Sequence, residues 1–151
     1  MVHLVYCDNK EKELEKILSN EKTMVIRGAT GRKIPHSRVF NGETLYFMEK
    51  GSKLIRAKAN VVQVENYVKL SDEEIIQILE KNQSKLKLSD AQKARWHKKC
   101  LILVEFDDVT PVGPFDFDHQ ANMDDWLILE KIEDVIVGSS IAYNYEKSKF
   151  K

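Results

Sequence analysis

Leu54 to Val64 carries the cleanest alternation in the chain. Ile55, Ala57, Ala59 and Val61 alternate with Arg56, Lys58 and Asn60, the period of a strand with one wet face. The adjacent apolar pair Val61-Val62 shifts that parity and predicts a bulge or the end of pairing. Thr44 to Met48 precedes this strand across Gly51-Ser52, so the two form a predicted hairpin. His3 to Cys7 reads as a first strand, and Met24 to Ile26 as another that ends on Arg27. Leu101 to Val104 is a continuous apolar run, as expected for a strand covered on both faces. Trp126 to Leu129 and Val135 to Val137 complete the set of predicted strands.

Three stretches have helical spacing instead. Residues 10–19 place Leu14, Ile17 and Leu18 on one stripe, with Asp8 and Glu11 in a capping pattern and Ser19-Asn20 as the break. Ser71 with Glu74 is a capping box that opens a helix with the stripe Ile75, Ile76, Ile78 and Leu79. Ser89 with Gln92 repeats the device and starts a helix through Ala91, Ala94 and Trp96, closed by Lys98 and Lys99. Asp107 to Asp118 contains two prolines and a glycine and reads as a loop or edge excursion. Short strands with three inserted helices predict an α+β fold whose strands curl into a small barrel. Residues 1–138 form one domain, and 139–151 a polar tail that is loosely held.

Composition changes this picture little. The chain has 151 residues and a formal net charge of zero, which excludes a general polycation. Its longest apolar run is too short to span a bilayer, and no leader segment is visible, so a cytoplasmic location is expected. Cys7 and Cys100 are far apart and outside any Cys-x-x-Cys arrangement, which suits two buried thiols; spacing alone leaves a disulfide open. Charge is distributed unevenly. Lys22, Arg27, Arg32, Lys33 and Arg38 cluster early, a second basic group runs from Lys81 to Lys99, and the acids gather between Glu105 and Asp134. Such asymmetry can focus an anionic ligand onto one face.

The chemistry is concentrated in Thr23 to Phe47. Between two strands lies a loop with Arg32, Lys33, His36 and Arg38 and no carboxylate, a candidate anion-binding element. Arg27 at a strand end offers a planar fork suited to phosphate or a carbonyl edge. Tyr46 and Trp96 are candidate stacking surfaces for a base. The competing reading has the loop cations facing water and both aromatic residues in the core.

The order of these elements is familiar. A leading strand, helix 10–19, Glu21-Lys22-Thr23-Met24-Val25-Ile26-Arg27, a basic loop, and Asn41-Gly42-Glu43-Thr44-Leu45-Tyr46-Phe47 resemble the ASCH family of PUA-like domains. The likeness extends over residues 3 to 137, and Asp124-Asp125-Trp126-Leu127 looks like the closing strand of PUA-like proteins. The resemblance implies a small mixed pseudo-barrel with a cleft beside the first helix that binds RNA or a modified nucleotide. The ligand-binding residues expected from both lines of argument are Lys22, Thr23, Arg27, Arg32, Lys33, Arg38 and Tyr46.

Some ASCH-like proteins are amidohydrolases of acylated cytidine with a Lys-Thr-x-Thr-x-Arg motif, which implies an alternative as a small hydrolase. Lys22, Thr23 and Arg27 match that motif, but Val25 stands at the second threonine and has no hydroxyl. Nuclease activity is another proposal for such domains, and no residue set here specifies it. A third alternative is a protein-interaction module using the acidic face. Gly28-Ala29-Thr30-Gly31-Arg32-Lys33 has glycines too close together for a phosphate loop, and no helical pattern follows. Asp116, Asp118 and His119 lack a convincing fourth ligand, so no metal and no cofactor is expected. The histidines at 3, 36, 97 and 119 have no paired cysteine or serine arrangement, which leaves a catalytic triad unsupported.

Overall fold

The period-two pattern assembles into a mixed six-stranded sheet. The computed structural model describes residues 1–118 and 125–142. In chain order the strands are β1 (Val2–Cys7), β2 (Met24–Ala29), β3 (Thr44–Glu49), β4 (Leu54–Tyr67), β5 (Cys100–Asp116) and β6 (Trp126–Leu129). Their order across the sheet is β2-β5-β4-β3-β1-β6, with β1 parallel to β3 and the other neighbours antiparallel. Helix α1 (Glu13–Leu18) follows β1, while α2 (Asp72–Lys81), α3 (Gln83–Leu86) and α4 (Asp90–Arg95) lie between β4 and β5. The architecture is a curled half-barrel of the α+β class.

Alternation decides which side chains meet. Val5, Cys7, Val25, Leu45, Phe47, Ala57, Ala59, Ile102, Val104 and Phe106 form the inner core with Leu14 and Ile17 of α1. Intervening residues face outward into two further clusters. Leu4, Tyr6 and Met48 pack with the 3-10 turn Ile132–Val135, and Met24, Ile26, Leu101 and Leu103 pack near α2 and α3. Ile55 joins the first of these clusters, away from the face expected for it with Ala57, Ala59 and Val61, because the register shifts between Ile55 and Ala57. The run Leu101–Val104 is thus covered on both faces, as its lack of alternation predicts. Gly28 belongs to this packing. A Cβ there would come within 2.6 Å of Leu101 Cδ2 and 3.0 Å of the Cys100 carbonyl oxygen, so the residue serves β2–β5 contact.

The hairpin β3–β4, the parity shift at Val61-Val62 and both capping boxes are present as predicted. Several expectations need correction. Of the two readings of Asp107–Asp118, the edge excursion holds and the loop does not, since β5 continues to Asp116. The 14-residue β4 supplies a partner for its whole length, whereas β2 pairs only with Cys100–Glu105. The far half therefore has one open edge, the setting in which prolines such as Pro111 and Pro114 are tolerated in a strand. Positive φ angles at Asp108 and Gly113, together with register shifts, absorb the irregularity.

Helix α1 begins at Glu13, later than expected, with Lys12 at its N-cap and no side-chain cap. Asp8 Oδ1 instead accepts from the Lys10 backbone N–H at 2.9 Å, an Asx-type contact that competes with helix. The third predicted helix stops at Arg95, short of Lys98 and Lys99, and α3 is an additional short helix. Val135 ends a 3-10 turn, and Ile136 makes an isolated bridge to Phe117, so 135–137 is no ladder strand. Ile76 lies off the buried stripe at 47% exposure, with Ile75 and Leu79 beneath it. The start of the predicted tail is hydrogen-bonded, Ser139 Oγ to the Glu133 carbonyl at 2.7 Å and Ile141 N–H to the Asp134 carbonyl at 2.9 Å. Residues 143–151 lie outside the described residues.

This assignment of faces has a direct test. Phe47→Ala, at the centre of the inner core, is expected to destabilise by about 3–5 kcal/mol. Ile76→Ala on the exposed side of α2 should change stability by about 0.5 kcal/mol or less. Urea unfolding of both variants decides; comparable losses would contradict the assignment.

Candidate ligand cleft

A cleft of about 360 Å³ opens where α1, α4 and the strand ends of β1 and β2 converge. That volume lies in the range of small-molecule sites. Tyr6, Glu13, Arg27, Gln92 and Trp96 form its inner wall, and its rim includes Asp8, Lys10, Lys50, Arg95 and Asp125. A side chain at Gly51 would run into the Asn9 amide, which explains how the β3–β4 turn comes so close to the end of β1.

Arg27 is the centre of this site. It sits within β2 rather than at its end, on the same side as Val25, and is only 8% exposed. Nη1 donates to the Ile26 carbonyl at 2.8 Å and Nη2 to the Tyr6 carbonyl at 2.7 Å. The guanidinium carbon is 5.5 Å from the Trp96 ring centroid and 5.6 Å from that of Trp126, both within cation–π range. Its Nε is buried and has no hydrogen-bond partner among the described residues.

Glu13 faces it from the first turn of α1. Gln92 Nε2 donates to Glu13 Oε2 at 3.4 Å, while Glu13 Oε1 is buried without a partner among the described residues. Gln92 is held by its own capping box, its Oε1 accepting from the Ser89 backbone N–H at 3.1 Å. A sequence device that starts a helix thus also orients a cleft residue.

Lys22 lies behind this wall, 2% exposed, with Nζ donating to the Leu86 carbonyl oxygen. Burial lowers its pKa to about 8; Glu13 opposes the shift and Arg27 adds to it. Cys7 is buried nearby, and burial, followed by Glu13, pushes its thiol well above the usual range, so it is no ready thiolate. Both cysteines are free thiols.

Of the seven ligand-binding residues expected from the sequence, Arg27 alone is among those that line the cleft. Lys22 supports it from behind. Thr23 is engaged through its backbone, its N–H donating to the Lys85 carbonyl at 3.0 Å and its carbonyl accepting from Phe106 N–H at 3.0 Å. Arg32, Lys33 and Arg38 are exposed on the β2–β3 loop and are not among the cleft-lining residues. That loop is pinned elsewhere, by His36 Nε2 to the Tyr67 carbonyl at 3.0 Å and Asn66 Oδ1 to Ser37 N–H at 2.8 Å. Tyr46 packs on the outer face of the sheet, on the opposite side from Arg27. Trp96, the stacking candidate, is half-buried and walls the cleft.

Sequence reasoning missed Glu13 and the cleft role of Gln92. No local signal marks Glu13, and its contact with Gln92 spans 79 residues. Of the acidic face, Glu105 pairs with Lys85 and Asp125 with Arg95 and Lys50, while Asp124 and His119 lie outside the described residues. Among the described residues no group of three or more His, Cys, Asp or Glu side chains could hold a metal. No helix among them is long and apolar enough to cross a membrane.

No protein-family model and no curated protein sequence matches the chain. Its fold does match solved structures. It superposes on the ASCH protein of Zymomonas mobilis with a TM-score of 0.64 and 15% identity over 86% of this chain and 88% of that one. A tyrosine-to-phenylalanine mutant and a serine-to-alanine mutant of the same protein give the same TM-score and identity, with 91% and 89% of their chains covered. The fold is therefore like that of the Zymomonas mobilis ASCH protein, an α+β half-barrel.

The buried lysine makes a prediction about stability. With a folded pKa of about 8 against 10.5 in the unfolded chain, the unfolded state binds more protons between those values. Unfolding free energy should therefore rise with pH from about 8 to about 10.5 through this group. Lys22→Met is expected to flatten that rise relative to wild type in urea unfolding across the same window. An identical slope in both proteins would contradict the assignment.

Proposed function

We propose that this protein binds a modified nucleotide or nucleoside, or the single-stranded end of an RNA, in the cleft beside α1. The observation that carries this reading is the pair of buried polar atoms without partners among the described residues, Glu13 Oε1 and Arg27 Nε, in residues that line the cleft with Trp96. A buried unsatisfied group costs about 1–3 kcal/mol. A ligand that donates to the carboxylate and accepts from the guanidinium recovers both penalties. The edge of a nucleobase carries donors and acceptors side by side, and its face suits stacking on indole.

Binding is preferred to hydrolysis on two grounds. Val25 lies in the inner core at 1% exposure and supplies no hydroxyl. Lys22 is not among the residues that line the cleft. The loop cations Arg32, Lys33 and Arg38 would add phosphate contacts only for a polymer longer than the cleft accommodates, and would make its binding salt-sensitive.

The test is a titration of isotope-labelled protein with the four ribonucleosides and with short single-stranded RNA, followed by NMR. Shifts are expected at Glu13, Arg27, Gln92 and the Trp96 indole. Trp96→Ala should weaken binding by about ten- to a hundredfold, the range for loss of one stacked base. Gln92→Ala should weaken it by about three- to tenfold. Absence of shifts, or shifts confined to surfaces away from these residues, would overturn the reading.

A further inference from the structure

The rim of the cleft contains an ion-pair arrangement that the binding of a base does not use. Asp125, immediately before β6, accepts from Arg95 Nη2 of α4 at 2.7 Å through Oδ2. Its other oxygen, Oδ1, lies 3.5 Å from Lys50 Nζ in the β3–β4 turn. One carboxylate thus holds two cations from opposite sides of the cleft mouth, and all three residues line it. The Arg95 guanidinium carbon also lies 4.8 Å from the Trp96 ring centroid, which ties the rim to the stacking wall. Each partner is partly exposed, with side-chain exposures of 47% for Arg95, 54% for Lys50 and 26% for Asp125.

Building on the nucleotide-binding reading, we infer that Arg95 and Lys50 form a phosphate site at the cleft mouth, which Asp125 occupies with its own carboxylate until a phosphomonoester displaces it. The preferred ligand is accordingly a nucleoside monophosphate rather than a nucleoside. Three features support this. A carboxylate and a phosphate present oxygen acceptors of similar reach to an arginine fork, so one replaces the other without moving the arginine. Ion pairs this exposed are weak, so a dianion can compete for them. The lining residues include four cations, Lys10, Arg27, Lys50 and Arg95, against three carboxylates, Asp8, Glu13 and Asp125. When Asp125 turns away, the mouth gains the positive excess that a phosphate requires.

The experiment compares wild type, Asp125→Asn and Arg95→Gln, all checked for native unfolding midpoints. Each is titrated at low salt with the four ribonucleosides, their 5′-monophosphates and inorganic phosphate. In wild type the monophosphate of the best nucleoside should bind more tightly than the nucleoside. Asp125→Asn should widen that ratio by roughly three- to tenfold, the strength of one or two exposed pairs, and Arg95→Gln should narrow it. Inorganic phosphate alone should shift the Arg95 and Lys50 side-chain signals at lower concentration in Asp125→Asn than in wild type. That arm needs no base, so it separates the two claims. Nucleosides binding with no gain from phosphate, and no effect of Asp125→Asn on inorganic phosphate, would overturn the rim site and leave the base cleft standing. Phosphate binding without any nucleoside binding would overturn the base cleft instead.

Discussion

A single arginine ties together the two ends of the sheet. Strands β2 and β6 are the terminal members of the order β2-β5-β4-β3-β1-β6, and no ladder joins them. Arg27 on β2 reaches the Tyr6 carbonyl of β1 and lies against Trp126 of β6, while its other terminal nitrogen is held by its own strand at Ile26. Closure by a side chain leaves the strands farther apart than closure by backbone pairing would. The seam can therefore hold a cleft, and the contact that closes the barrel also forms the inner wall of the site. Trp126 is fixed from the other direction, its indole N–H donating to His3 Nδ1 at 2.9 Å. That bond places the imidazole proton on Nε2, toward Glu43 Oε1 at 2.9 Å. Burial keeps the pKa of His3 below its ordinary value, so Nδ1 stays an acceptor.

Around this seam the protein collects charge in places where charge is costly. Lys22, Arg27 and Glu13 are all nearly buried, two cations against one carboxylate. Desolvation of such groups exceeds what a single attraction returns, and the lowered pKa of Lys22 records the deficit. Packing alone would favour apolar residues of similar volume at these positions. The arrangement makes sense where a polar environment serves a ligand, with Lys22 holding the Leu86 carbonyl and so tying α3 to the back of the wall. On the binding reading, a bound molecule would complete that polar interior.

The fold was legible because it rests on local rules. Alternation at Ala57–Val61, the parity break at Val61-Val62 and the boxes Ser71/Glu74 and Ser89/Gln92 are short-range features, and each appears in the structure. Errors arose where a partner overrode local preference. Pro111 and Pro114 argue for a loop, yet the length of β4 draws them into β5 as an open edge. At the site, Arg27 stood out by its chemistry and its place in a strand. The loop cations had the right chemistry, but their loop is pinned near Tyr67 by His36 rather than at the cleft. Glu13 was invisible because its meaning comes from Gln92, 79 residues away along the chain, and Asp125 stood out only as part of an acidic cluster because its partner Arg95 is 30 residues away.

The same distinction governs what the structural likeness conveys. At 15% identity, two chains share a barrel because both satisfy an alternation pattern and a set of turns that many sequences can satisfy. Those rules place a cleft beside α1 without saying what fills it. On the binding reading the filling follows from the lining residues: among the described residues, an arginine whose Nε has no partner, a glutamate whose Oε1 has none, and an indole within cation–π range of two guanidinium groups. On that reading, such a set suits a flat molecule whose edge carries both a donor and an acceptor. A purely apolar ligand would leave both buried groups unpaired, and a simple anion would meet Glu13 as well as Arg27. The chemistry of the wall therefore narrows the ligand further than the fold does.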